Sequence, residues 1–197
     1  NRVGKGINGA GDSPITTLTN EGTISGRGRQ RGGFGIQAVI GSFDNSGTIE
    51  GISGDGIGGG VAANTGIGVD FAEGSITTTL IKNTGTIRGL SDHAGAYGIQ
   101  VSLQDVTTLD NDGTISAQAD TSDAVGGYIK SDMTTFDNSG TISATAGTNN
   151  AYGVSLAENE GGDDFTITTV NNSGTISATA TSGSGAYGVY FDTDGYG

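Results

Sequence analysis

The 197-residue chain has no cysteine and no tryptophan, and only one proline, one histidine and one methionine. Without cysteine it can form no disulfide, no thiolate nucleophile and no zinc–thiolate site. No apolar run is long enough to cross a bilayer as a helix, and no stretch reads as an N-terminal signal sequence. Bases are scarce: eight Lys and Arg stand against 21 Asp and Glu, for a net charge of -13 and a pI near 4.1. Such a surface repels nucleic acid and anionic membranes. All eight bases precede position 131, and the last 67 positions carry eight acids and no base. Leu, Ile, Val and Phe together make up about a fifth of the chain, close to the composition of disordered proteins.

What is abundant is glycine, 39 residues of it, without a Gly-X-Y period and with almost no proline, which excludes collagen. The order of the residues opposes the disorder that composition suggests. One phrase, apolar-x-Asn-x-Gly-Thr-Ile, occurs six times, with its asparagines at Asn20, Asn45, Asn83, Asn111, Asn138 and Asn172. A second phrase, small-aromatic-Gly-apolar-x-apolar, alternates with it as Ala96-Tyr97-Gly98-Ile99-Gln100-Val101 and at 151–156 and 186–191. Looser copies fall at 33–38, 64–69 and 124–129, and around Lys5-Gly6-Ile7.

Each repeat holds three short stretches of alternating apolar and polar residues, the period of a strand, separated by glycine or asparagine at corners. Three strands in about 30 residues cannot bury a core alone, but stacked copies can. The expected fold is all-β: a single domain over 1–197, a right-handed parallel β-solenoid of about six three-stranded coils. At about 4.8 Å per coil it makes a rod section of about 30 Å. The asparagine intervals of 25, 38, 28, 27 and 34 imply loops of unequal length leaving at the corners.

Alternation turns the six asparagines inward, where unpartnered amides would cost a few kcal/mol each. Donating to one neighbouring coil and accepting from the other, they would form a ladder. Ile24, Ile49, Ile87, Ile115, Ile142 and Ile176 form a parallel inward column. Gly26, Gly51, Gly89, Ala117, Ala144 and Ala178 form a narrow one. The neighbouring threonines then face outward.

These repeats resemble the passenger regions of autotransporters, in the Asn-Ser-Gly-Thr-Ile segments at 45–49, 138–142 and 172–176 and the Ala-Tyr-Gly-apolar segments. The resemblance covers essentially the whole chain. It implies an exported stalk, adhesin or self-associating rod on the surface of a Gram-negative bacterium or released from it. A C-terminal translocation barrel would be its link to the outer membrane, and neither that barrel nor a protease module occurs in this sequence. A chain that starts at Asn1 is expected to be part of a longer passenger or a stacking subunit.

Other chemistry finds little support. His93 and Asp92 share an inter-strand stretch without a glycine-flanked nucleophile. Asp163-Asp164 resembles the acid pair of some polysaccharide hydrolases, but the accompanying Gly-His-Gly and Arg-x-Lys are missing, so no catalytic residue is assigned. Glu158, Glu160, Asp163 and Asp164 supply oxygen ligands for a candidate calcium site, without the nonapeptide or EF-hand spacing. No cofactor is expected. Arg27, Arg29 and Arg31 would share one outward face if their strand continues, as a contact for an acidic glycan, a receptor or another copy. Glu50 and Arg88 occupy equivalent positions in consecutive coils and should pair. The Thr-x-Ser rows resemble the hydroxyl arrays of ice-binding solenoids, interrupted by those two charges. Tyr97, Tyr128, Tyr152, Tyr187 and Tyr190 are candidates for glycan stacking or corner packing. Neither end shows a cap, and the acidic C-terminal part would favour head-to-tail contact with the more basic N-terminal part.

Overall fold

The computed structural model describes residues 3–9, 14–28, 31–54, 65–71, 76–102, 105–157, 166–182 and 185–192. Among them the regular structure is entirely β. The first coil is β1 (Val3–Gly9), β2 (Ile15–Asn20) and β3 (Thr23–Gly28), and the second is β4 (Arg31–Ala38), β5 (Ile40–Asn45) and β6 (Thr48–Ser53). The third comprises β7 (Gly66–Phe71), β8 (Thr78–Asn83) and β9 (Thr86–Ser91), and the fourth β10 (Ala96–Val101), β11 (Val106–Asn111) and β12 (Thr114–Ala119). The fifth is β13 (Ala124–Ile129), β14 (Met133–Asn138) and β15 (Thr141–Ala146). The sixth is β16 (Ala151–Ala157), β17 (Ile167–Asn172) and β18 (Thr175–Ala180), and β19 (Ala186–Asp192) opens a seventh.

Every third strand pairs in parallel with its counterpart in the next coil. This produces sheet A, β1-β4-β7-β10-β13-β16-β19, and two six-stranded sheets, B from β2 to β17 and C from β3 to β18. The molecule is a right-handed parallel β-solenoid of six coils. Equivalent residues lie side by side throughout sheet C, as in Ile87, Ile115, Ile142 and Ile176. The register also corrects one boundary. The third copy of the small-aromatic-Gly-apolar-x-apolar phrase is Gly66–Phe71, with Gly66 opposite Ala96 and Phe71 opposite Val101, not 64–69. The intervening Asn64 lies outside the described residues.

The core is a set of columns. Ile49, Ile87, Ile115 and Ile142 line it from sheet C, Ile36, Val69, Ile99 and Val154 from sheet A, and Phe43, Ile81, Leu109 and Phe136 from sheet B. Full burial of each such side chain stabilises the fold by about 1.5–3 kcal/mol. Phe43 and Phe71 meet edge to face at 5.8 Å.

The corner between sheets C and A changes along the rod. In the fourth to sixth coils it is filled by alanines, including Ala117, Ala124, Ala144 and Ala151. In the second coil the equivalent residue is Gly51, where a Cβ would overlap the Ile67 carbonyl. The backbones approach more closely there, so glycine is required.

Candidate functional site

The recurrent Asn-x-Gly-Thr phrase closes sheet B and opens sheet C, and each of its residues bonds to the neighbouring coil. Asn20 Nδ2 donates to Asn45 Oδ1 at 2.7 Å, Asn45 to Asn83 at 2.8 Å, and Asn83 to Asn111 at 2.7 Å. Asn111 donates to Asn138 and Asn138 to Asn172, each at 2.7 Å. All but the exposed Asn172 are buried. The ladder is directional: Asn20 supplies its amide only as donor within it, and Asn172 only as acceptor. Burial of so many amides is tolerable because each inner one is paired on both sides.

The backbone explains the rest of the phrase. The Asn111 carbonyl accepts the Ser139 and Gly140 N–H groups of the next coil, each at 2.9 Å, and the Gly113 carbonyl accepts the Thr141 N–H at 2.8 Å. A Cβ on Gly140 would overlap that same Gly113 carbonyl. Asparagine, glycine and threonine therefore recur because adjacent coils meet through these atoms.

Further side chains link coils on the outer faces. Gln37 Nε2 donates to Asp70 at 2.8 Å, Asn171 Nδ2 donates to Asp137 at 2.7 Å, and the Ser139 hydroxyl donates to Asp112 at 2.5 Å. Burial pushes the Asp70 carboxyl above its ordinary range, against the opposing Gln37 bond and Lys5 charge. Partial desolvation raises Asp110 as well, helped by the Asp112 and Asp137 carboxylates and opposed by Lys82. None of these links is apparent from a single repeat. They emerge when outward residues are aligned coil by coil.

The residues singled out from sequence are dispersed. Glu50 and Arg88 pair at 2.5 Å across β6 and β9, on the outer face of sheet C. Arg27 is exposed on β3, but that strand ends at Gly28, and Arg31 opens β4 in sheet A. Arg27 and Arg31 therefore lie on strands of different sheets, and no one strand presents both. Arg29 lies outside the described residues, as do Glu158, Glu160, Asp163 and Asp164. No group of three or more His, Asp or Glu able to hold a metal occurs among the described residues. His93 is exposed in the turn after β9. Thr114, Thr141 and Thr175 align on sheet C beside Ser116, Ser143 and Ser177, while Glu50 and Arg88 occupy the serine positions of their own rows.

A cleft of about 320 Å³ lies along the start of sheet B, where Asp105 and Asp132 border Thr107, Thr134 and Thr168. Asp132 is engaged there as acceptor of the Thr166 N–H at 2.7 Å. The tyrosines gather on the outer face of sheet A: Tyr97 on β10, Tyr128 on β13, Tyr152 on β16, and Tyr187 and Tyr190 on β19.

No family model matches the chain, and no curated protein or solved structure matches it. The class is therefore defined by the fold itself, a parallel β-solenoid whose repeated residues join one coil to the next.

Proposed function

We propose that the chain is a non-enzymatic structural or adhesive rod of a bacterial cell surface or the extracellular space, able to extend by stacking further coils. The observation that carries this reading is the continuous asparagine ladder. The strongest recurrent polar group of the sequence is buried and bonds one coil to another. The resemblance of the repeats to autotransporter passengers supports the same setting.

The directional ladder also supports head-to-tail extension. β17 leaves Val170 at 55% exposure, and β19 leaves Val189 and Phe191 at 47% and 64%. A further coil, from the same polypeptide or from a second copy, would cover these side chains. Asn172 Nδ2 would donate to it as the preceding asparagines do.

The test is electron microscopy of the 197-residue chain over a concentration series, with sedimentation velocity and polysaccharide-cleavage assays alongside. Filaments of constant width and about 4.8 Å axial repeat, without cleavage, are expected. Rods that remain monomeric at every concentration would overturn extension by second copies. Turnover of a polysaccharide would overturn the non-enzymatic reading.

A further inference from the structure

The tyrosines are distributed far from evenly. Of the six in the chain, five lie on the outer face of sheet A, in its last four strands. The register explains how they meet. Tyr152 stands directly opposite Tyr187, and Ser155 opposite Tyr190, so β19 brings two rings to the one on β16. The Tyr152 and Tyr187 rings stack with centroids 5.4 Å apart and planes 11° apart. Tyr190 completes the group at 5.0 Å from Tyr152 and 5.2 Å from Tyr187. A separate pair, Tyr97 and Tyr128, meets edge to face at 5.6 Å.

This stacking opposes a role as a flat sugar platform, since Tyr152 turns one ring face toward Tyr187 instead of solvent. It suits a different chemistry. We propose that Tyr152, Tyr187 and Tyr190 form an oxidative cross-linking site at which a dityrosine bond joins β16 to β19, with hydrogen peroxide and a haem peroxidase as the oxidant. Each of two phenols loses one electron and one proton, leaving phenoxyl radicals whose unpaired spin is shared with the ring carbons ortho to oxygen. Two ortho carbons couple, and the hydrogen on each moves to its oxygen, restoring both aromatic rings. One C–C bond replaces two C–H bonds, and the two electrons and two protons removed reduce one peroxide to two waters.

Three features of the chain favour this site. The absence of cysteine removes both the disulfide as a staple and the thiol as a competing reductant. Tryptophan is absent and the single methionine, Met133, is 2% exposed, so among the described sulfur and aromatic side chains the partly exposed tyrosines are the accessible ones that lose an electron readily. Tyr187 is 41% exposed, so an oxidant can reach its ring from solvent. A covalent tie would fix β19 to β16 in the register that brings their rings together. Cross-linking at this site does not require copies to assemble end to end.

The test is peroxidase and peroxide treatment of the dilute 197-residue chain, native and in urea. Readouts are dityrosine fluorescence, mass, denaturing gel mobility and peptide mapping. The expected product is a monomer lighter by two hydrogens, with the Tyr152 peptide joined to the Tyr187–Tyr190 peptide. Its yield should fall several-fold in urea. Tyr152→Phe should abolish this link and Tyr128→Phe should leave it intact, with far-UV circular dichroism confirming that both variants remain β. The doubly substituted Tyr187→Phe, Tyr190→Phe chain gives an independent loss from the other strand. Cross-links only between molecules, links only within the 187–190 segment, or equal yield from native and unfolded chain would each overturn the proposal.

Discussion

Replacing Asn111 by aspartate tests the ladder through charge with almost no change in shape. Asn111 is fully buried. Its Oδ1 accepts from Asn83 Nδ2, and its Nδ2 faces Asn138 Oδ1 at 2.7 Å and the Gly113 and Thr141 carbonyls at 3.4 Å. In Asn111→Asp the ionised carboxylate keeps the first bond but turns an anionic oxygen toward three acceptors. Its folded carboxyl must therefore titrate above its unfolded value of about 3.9. The sign follows from proton binding. Below the unfolded pKa both states are protonated, and the variant's O–H can donate to Asn138 Oδ1, so the penalty is small. As pH rises toward the folded pKa, the folded state holds protons that the unfolded state releases, so stability falls. At pH 7 the uncompensated buried group should cost about 3–5 kcal/mol. Asn111→Leu should cost about 2–6 kcal/mol at either pH, since it orphans a donor on one side and an acceptor on the other. Asn172→Leu, at the exposed end with a single ladder partner, should cost under about 1 kcal/mol. Urea unfolding followed by circular dichroism at pH 3 and pH 7, each variant against the parent at the same pH, gives these differences. A pH-independent deficit for Asn111→Asp, or equal losses for Asn111→Leu and Asn172→Leu, would refute the reasoning.

Three more substitutions probe other levels. Gly51→Ala should destabilise by about 1–3 kcal/mol or more, because its methyl overlaps the Ile67 carbonyl; Ala144→Gly at the equivalent corner should cost about 1 kcal/mol, and thermal melts would rank the two. Asp70→Asn should raise the melting temperature at pH 7 and have little effect at pH 3. Burial raises the Asp70 carboxyl, so its penalty develops only above the unfolded pKa, and asparagine keeps an acceptor for Gln37. Arg88→Ala should change stability by no more than about 1 kcal/mol, with an effect that shrinks in salt, because the Arg88–Glu50 pair lies on the outer face; urea unfolding at low and high ionic strength would show it.

Asn111, Ile115 and Ala117 were legible in the sequence as stacked columns because a solenoid writes its contacts as periodicity. Residues recurring at one place in each repeat become neighbours, and alternation assigns the face. Position 66 shows where that legibility fails. Gly66, Ile67 and Gly68 lack the tyrosine of the better copies, and only hydrogen-bond register fixes the phase of β7. The Arg27–Arg31 stretch misled for a related reason. Alternation continues through it in sequence, while the backbone leaves sheet C at Gly28 and enters sheet A at Arg31. The stacking of Tyr152, Tyr187 and Tyr190 depends on side-chain direction and ring orientation, which a repeat pattern does not encode. Asp70 departs from the amides Asn8, Gln37 and Gln100 at the same place in other coils, so no repeat announced its bond to Gln37.

Each repeat is one exchangeable coil, held by equivalent contacts to the coils on either side. Deleting residues 112–138 tests this most directly, since it joins Asn111 to Ser139 and removes β12, β13 and β14, one strand from each sheet. Small-angle scattering and circular dichroism should show a folded β rod shortened by about 4.8 Å, with β11 now beside β17. A shortened chain that loses its β signal, or a rod of unchanged length, would contradict the account.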